Sequence, residues 1–199
     1  MRVKTDARRE AILDIATELF REVGYERASM AAISARAGGS KATLYNYFKS
    51  KEELFAAAMM EAMEDQGQAL LDLLDASDND VAAVLRRFGE AFLRLVTTPE
   101  SLAIARTATA EAANSSLGAR LYERGPKRAW DEVALYIRRL QERGKIRPGD
   151  PHLIAGHFRG MVEAGFVEPL LWGAPTEQEP ATTTSAAVEA FLRAYASAE

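Results

Sequence analysis

The most constraining feature of this chain is a helical hydrophobic period along nearly all of its length, with no sustained strand-like alternation. Ile12, Ile15, Leu19 and Val23, for example, are spaced three or four apart and would share one helix face. Glycines, prolines and capping residues divide the pattern into segments. The sequence therefore predicts an all-α protein of about nine helices.

The first four predicted helices are closely spaced, and their interruptions are informative. Their expected ranges are residues 5–23, 29–37, 40–48 and 50–74. Gly24 ends the first helix, and Gly38-Gly39 separates the second from the third. Ser50 and Glu53 form a capping box at the start of the fourth. Two short helices joined by a glycine turn indicate a helix-turn-helix.

The remaining helices are longer and less regular. The fifth should stop before Pro99, and a helical, alanine-rich stretch should cover residues 100–113. A long helical stretch over residues 117–143 should kink or break at Gly125-Pro126, because an interior proline loses a backbone hydrogen bond. Asp150-Pro151 begins a helix expected to reach residue 172, and a last helix follows a linker over residues 173–180.

Charge is distributed unevenly along the chain. Residues 1–51 hold ten Lys and Arg against six Asp and Glu, a net charge of +4. The remaining 15 basic and 23 acidic residues give −8. A basic head followed by an acidic body fits a phosphate-binding module joined to a domain with another task, although an imbalance of this size also arises by chance.

The predicted third helix carries side chains suited to DNA. Lys41 can donate to phosphate or guanine, and Thr43 can contact phosphates, base edges or a thymine methyl group. Ala42 is small enough to admit the helix to the groove. Tyr45, Asn46 and Tyr47 should lie outside or at the edge, while Leu44 and Phe48 anchor the helix. Short helices with exposed aromatics also occur in ordinary bundles, so these residues alone leave both interpretations open.

The order of motifs closely resembles the DNA-binding domain of the TetR family of repressors. The resemblance covers residues 5–55 and rests on Ile12–Ala16, Leu19-Phe20, Gly24-Tyr25, Ser29-Met30, Ile33, Ala37-Gly38, Ser40–Phe48 and Ser50–Phe55. It implies that Lys41, Ala42, Thr43, Tyr45 and Tyr47 face the major groove or its walls, and that Ser29 and Lys51 hold phosphates. Two residues depart from the family pattern: Gly39 replaces valine and should loosen the turn, and Ser34 replaces alanine.

The resemblance also implies a two-domain regulator. We expect a DNA-binding domain over residues 1–51 and a helical effector-binding and dimerisation domain over residues 52–199. The second domain looks similar to the AefR-like type, a resemblance that rests on Tyr122–Pro126, Arg143–Arg147 and Asp150-Pro151. The expected protein is a cytoplasmic homodimer that represses transcription from a pseudo-palindromic operator. A small, mainly apolar effector should release it from double-stranded DNA.

Candidates for the effector pocket and the dimer interface come from residue type and spacing. Large adaptable side chains and one arginine are the pocket candidates: Met59, Met63, Phe88, Phe92, Arg106, Trp130, Phe158 and Met161. A stripe of small residues with apolar neighbours makes up the dimer candidates: Gly156, Gly160, Ala164, Val188, Phe191, Leu192 and Tyr195. Each of these residues could equally belong to the core of its own chain.

Other functions find less support in the sequence. There is no cysteine, and His152 and His157 are five apart, so we expect no metal site, and we expect no cofactor. No catalytic grouping, apolar run of membrane-spanning length or signal peptide is visible. A helical carrier or enzyme with a vestigial DNA module remains an alternative. So does activation of transcription, or a nucleoid-type role.

Overall fold

The computed structural model describes the backbone of residues 2–197 and the side chains of residues 6–197. Within this range it confirms the all-α class. The helices are α1 (Arg2–Arg27), α2 (Met30–Arg36), α3 (Lys41–Tyr47), α4 (Lys51–Leu71), α5 (Val81–Val96), α6 (Pro99–Glu111), α7 (Leu117–Tyr122), α8 (Arg128–Glu142), α9 (Pro151–Glu163), α10 (Val167–Leu171) and α11 (Pro180–Tyr195). None of these helices is long and apolar enough to cross a membrane.

Helix ends follow the predicted breakers with one exception. Gly24 has a φ of 78° and interrupts α1, as expected. At Pro126 the chain forms a π-helical turn, Glu123–Lys127, between α7 and α8, which confirms the expected interruption. The single helix expected over residues 150–172 was wrong, because Gly165 has a φ of +68° and separates α9 from α10. The fourth helix ends at Leu71, three residues earlier than expected.

The chain forms two compact units. The first contains the chain up to Glu64 together with Thr107–Arg124, and the second contains Asp65–Arg106 and the chain from Gly125 onwards. Helix α4 therefore begins in the first unit and ends in the second. These units are defined by packing. The functional boundary expected after residue 51, between a DNA-binding and an effector-binding domain, stays a prediction.

The first unit is built on one apolar face of α1. Leu13 and Ala16 have at most 1% of their surface exposed, and Phe20 has 5%. Phe20 contacts the Phe55 ring edge-on at a centroid distance of 4.9 Å. Because Ile33 of α2 is also buried, the two short helices that follow α1 are held on a continuous core.

The second unit has a larger core made by α5, α8, α9 and α11. Phe88, Phe158 and Phe191 are at most 1% exposed, and Phe158 lies 5.1 Å from Phe191 between ring centroids. Helix α5 passes α11 closely at Gly89, where an added Cβ would come within 2.6 Å of Thr184 Cγ2. Aromatic packing therefore dominates this unit.

Candidate DNA-binding surface

Both helices of the helix-turn-helix begin at a serine cap. Ser29 Oγ accepts a hydrogen bond from the Ala32 N–H at 3.1 Å, and Ser40 Oγ accepts one from the Thr43 N–H at 3.1 Å. Ser40 Oγ also lies 2.9 Å from Thr43 Oγ1. Each cap satisfies one of the free amides at a helix start and thereby fixes where the short helix begins.

The turn between α2 and α3 is closed by hydrogen bonds. Gly38 has a φ of +61°, a conformation that favours glycine. Ser34 Oγ donates to the Gly39 carbonyl at 2.9 Å, and the Gly39 N–H donates to the Ser34 carbonyl at 3.2 Å. Arg8 donates to the Ala37 carbonyl at 2.7 Å. These bonds do not support the loose turn expected from Gly39, since the two residues that depart from the family pattern bond to each other.

Sequence reasoning missed Arg8. A Cβ at Gly39 would come within 2.9 Å of Arg8 Nη2, so glycine leaves space for the guanidinium. Its position could have indicated a contact with the core side of α1, because Arg8 precedes buried Ile12 by four residues and therefore lies on nearly the same helix face.

Helix α3 presents a polar outer face on a buried base. Leu44 and Phe48 are each 2% exposed, which confirms them as anchors. The residues predicted to contact DNA are exposed or half-buried: Lys41, Ala42, Tyr45 and Asn46 are exposed, whereas Thr43 and Tyr47 are half-buried. Helix α3 contains no acidic residue. The outer face of α3 itself therefore carries no carboxylate that would repel phosphate.

The start of α4 is fixed beside this surface by a variant of the predicted capping box. Ser50 Oγ accepts from the Glu53 N–H at 3.2 Å, as predicted, whereas Glu53 Oε2 accepts from the Lys49 N–H at 2.8 Å, one residue before the cap. Lys51 Nζ donates to the Tyr25 carbonyl at 3.0 Å and lies 4.1 Å from the centre of the Tyr25 ring. The Lys51 ammonium is thus held in one place, with further N–H donors for another acceptor.

Tyr25 connects these residues to the core. Its hydroxyl donates to Glu52 Oε1 at 3.3 Å, and its ring packs against Phe55 at 4.9 Å. Burial, and then the nearby Glu52 carboxylate, raise the pKa of Tyr25, so the phenol stays neutral. Hydrogen bonding from Ser50 lowers the pKa of Glu52. Sequence reasoning gave Tyr25 no role beyond the family pattern.

The candidate effector residues are divided between the two units. Met59 and Met63 belong to the first unit, and the other six belong to the second. Among those six, Trp130 contacts Phe88 and Phe92 edge-on at 6.2 and 5.2 Å, and Phe158 lies 6.4 Å from Phe88. These four rings form one cluster, which we call the aromatic cluster.

The other candidates of the second unit have different surroundings. Arg106 donates from Nε to the Leu171 carbonyl at 2.9 Å and from Nη2 to the Leu170 carbonyl at 2.5 Å. Its guanidinium therefore caps the end of α10 rather than standing free for a ligand. Met161 is half-buried beside the core.

The dimer candidates differ sharply in exposure. Gly156, Gly160 and Ala164 are exposed, and an added Cβ at either glycine would meet nothing within 4 Å. Val188 and Phe191, in contrast, are completely buried in the core of their own unit. We therefore correct their assignment, because a side chain without exposed surface adds no area to an interface. Leu192 and Tyr195 are half-buried and keep some surface.

The fold and the site together define a class: a helix-turn-helix DNA-binding protein with a helical C-terminal domain. The profile of the AefR-like transcriptional repressor C-terminal domain matches residues 83–197, and that of the tetR family of bacterial regulatory proteins matches residues 12–58. The first match alone covers more than half of the chain. The chain belongs to the TetR family of transcriptional regulators.

Individual relatives agree with this assignment. The nicotine-responsive transcriptional repressor HdnoR of Paenarthrobacter nicotinovorans is 33% identical over 92 residues, 46% of this chain and 47% of its own length. The chain therefore matches about half the length of that relative. A TetR-family regulator structure from Mesorhizobium loti has a TM-score of 0.84 at 27% identity, over 96% of this chain and 98% of its own. The flavonoid-responsive regulator FrrA has a TM-score of 0.75 at 26% identity, with the same coverages.

Proposed function

We propose that this protein is a cytoplasmic, dimeric transcriptional repressor that a small, mainly apolar effector releases from a pseudo-palindromic operator. The observation that carries the DNA-binding part is the geometry of α3. Its buried anchors, Leu44 and Phe48, fix the helix, while Lys41 and Ala42 are exposed at its start. A recognition helix of this kind reads bases with its N-terminal residues.

The predicted contacts divide into two groups. Lys41, Ala42 and Thr43 read base edges in the major groove. The second group holds the sugar-phosphate backbone and consists of Ser29, Ser40, Tyr45, Asn46, Tyr47 and Lys51. Two helix starts strengthen this second group, because free amides at the beginning of α2 and α4 attract phosphate.

A dimer places two copies of α3 on one face of the duplex. Adjacent major grooves are about 34–36 Å apart, so a two-fold dimer binds half-sites separated by one turn. The bare surface formed by Gly156, Gly160 and Ala164 is our candidate for the contact between protomers, with Leu192 and Tyr195 beside it. Exposed small residues permit close approach of a second helix.

Aromatic, mostly apolar molecules are the proposed effectors. Within the aromatic cluster of the second unit, half-buried Trp130 is the ring with surface left for a flat ligand, whereas Phe88, Phe92 and Phe158 are buried behind it. Responses of HdnoR to nicotine and of FrrA to flavonoids support the same class of molecule. DNA favours the conformation in which the two α3 helices are one helical turn apart. The effector favours a conformation in which their spacing is different. Helix α4 belongs to both units and is the proposed connection.

Selection of bound sequences from a random DNA pool tests the proposal. The full-length protein should enrich a pseudo-palindrome whose half-sites are one helical turn apart. Failure to enrich any sequence at moderate salt would favour the helical carrier instead. Aromatic compounds can then be titrated against the complex with the selected site. An aromatic compound that binds tightly but leaves DNA affinity unchanged would contradict the release mechanism.

A further inference from the structure

A cavity of about 140 Å³ lies within the first unit, at the C-terminal end of α3. Three arginines line it: Arg9 of α1, Arg120 of α7 and Arg124 of the π-helical turn. One carboxylate, from Glu53, also lines it. The side chains around the cavity therefore carry a formal net charge of +2, which favours an anion.

Two of the three arginines are available. Arg9 is already engaged, since its Nη1 lies 3.5 Å from Glu61 Oε2 and its Cζ lies 5.5 Å from the centre of the Phe48 ring. Arg120 and Arg124 are exposed, and no hydrogen bond or ion pair joins either guanidinium to another described side chain. Both line the same cavity, so both can reach the same ligand.

The lone carboxylate does not cancel this charge. Glu53 Oε2 accepts the Lys49 N–H at 2.8 Å, and Ser50 Oγ accepts the Glu53 N–H at the start of α4. One oxygen of Glu53 is thus occupied by a backbone amide, and the charge of this carboxylate is already included in the net +2. The guanidinium forks of Arg120 and Arg124 are left as donors for an incoming carboxylate or phosphate.

Apolar side chains make up the remaining wall. Phe48 and Ala56 are each 2% exposed and Ala57 is 9% exposed, and all three line the cavity. The half-buried Tyr47 adds an aromatic ring. Because Phe48 and Ala56 are already buried, the ring of Tyr47 is the main apolar surface left for the body of a ligand to cover.

We propose that this cavity binds a small organic anion, in which a carboxylate or phosphate contacts Arg120 and Arg124 and an apolar body contacts Tyr47 and Ala57. The volume is far above the roughly 10–15 Å³ that one water needs, and below the roughly 300–1,000 Å³ of pockets for drug-sized ligands. The site is distinct from the aromatic cluster and takes a charged ligand class. It does not depend on the proposed effector.

Calorimetric titration of the full-length protein tests the site with three probes. Benzoate carries the charge and the ring, benzamide has nearly the same shape without the charge, and inorganic phosphate has the charge without the ring. Benzoate should bind at least about tenfold more tightly than benzamide, and also more tightly than phosphate. Equal binding of benzoate and benzamide would contradict the charge requirement, and phosphate binding as tightly as benzoate would contradict the apolar wall. No benzoate binding at millimolar concentrations would overturn the proposal.

Substitutions of cavity residues test whether benzoate binds in the cavity. The double variant Arg120→Gln/Arg124→Gln should weaken benzoate binding at least about tenfold, while Arg128→Gln, an exposed arginine outside the cavity, should leave it within about twofold. Ala57→Leu fills the cavity without changing charge and should also abolish binding. Unchanged binding in the double variant or in a folded Ala57→Leu variant would overturn the assignment.

The last control separates this site from DNA binding. In the absence of benzoate, the double variant should bind a selected operator within about twofold of the wild type. A tenfold loss would identify the arginines as DNA contacts and overturn the proposal. Because the calorimetric titrations need no DNA, they remain decisive even if no operator is found.

Discussion

The turn between α2 and α3 and the aromatic cluster of the second unit are stabilised in opposite ways. Hydrogen bonds from Ser34 and Arg8 to backbone carbonyls close the turn, and serine caps begin both helices. In the cluster, large rings fill space: Phe158, for instance, is completely buried against Phe88 and Phe191. Polar local contacts therefore position the DNA-binding surface, whereas packing stabilises the second unit.

Substitutions in the aromatic cluster should therefore change stability, and substitutions in the DNA-binding surface should change DNA affinity. Losing a buried ring removes apolar contacts and leaves a cavity, so it costs stability. Losing a polar side chain from the DNA-binding surface removes little buried area, so it should chiefly change DNA affinity.

Phe158→Ala should produce the largest loss of stability. Removing a fully buried aromatic side chain typically lowers the free energy of unfolding by about 3–5 kcal/mol. Urea unfolding followed by tryptophan fluorescence measures it, because both tryptophans, Trp130 and Trp172, belong to the second unit. Arg138→Ala, at an exposed residue of α8, is the control and should change stability by less than about 0.5 kcal/mol. Equal losses for the two variants would contradict the packing account.

Gly38→Ala and Gly39→Ala should differ although they are adjacent. Gly38 has a φ of +61°, so alanine there costs about 1–2 kcal/mol. Gly39 lacks a positive φ, and its added Cβ would crowd the flexible end of Arg8 and come to ordinary contact distance from Thr43 Cβ, so we expect a change within about 0.5 kcal/mol. Hydrogen exchange of the α3 amides measures both. A greater loss at Gly39 would show that the Arg8 contact, and not the backbone conformation, controls the turn.

Lys51→Ala should weaken DNA binding several-fold and equally for all sequences. One phosphate contact fewer lowers the slope of log affinity against log salt by about 0.9. Fluorescence anisotropy at several salt concentrations provides this slope, and Arg138→Ala on α8 is a charge-matched control. A changed base preference with an unchanged slope would show that Lys51 does not act as a phosphate contact.

Glu52→Gln should give the smallest effect, and it should depend on pH. Because the pKa of Glu52 is lowered by the Ser50 hydroxyl, its carboxylate stabilises the folded state above the unfolded pKa of about 4.3, and this contribution disappears as pH falls through the folded pKa. The side chain is partly exposed, so the loss at pH 7 should be about 0.5 kcal/mol or less. Thermal unfolding at pH 7 and pH 3 tests it. A loss of stability that is equally large at pH 3 would show that the Glu52 side chain acts through packing and not through its charge.

Much of the fold could be predicted because its signals are local. Gly24, Ser29, Ser40 and the Ser50 capping box mark helix ends through contacts within a few residues, and the structure has all of them. The break at Gly165 was missed because apolar residues continue on both sides of it. The positive φ there depends on the surrounding fold and not on the periodicity.

Contacts between distant residues could not be predicted. Arg8 and Ala37 are 29 positions apart, and Lys51 and Tyr25 are 26 apart, so no spacing rule connects them. The same applies to Val188 and Phe191, whose apolar character fits a dimer interface and a core equally well. Only the packing of α11 against α5 and α9 shows that they belong to the core.

Substitution of Thr43 tests whether α3 reads the bases of an operator. Sequence selection from a random DNA pool should be carried out in parallel with the wild type and with Thr43→Ala. We predict that both select a palindrome with the same half-site spacing, and that the base preference changes at one symmetric position in each half-site. An identical motif from both proteins would contradict base reading by Thr43, and enrichment without a palindrome would contradict the dimeric operator complex.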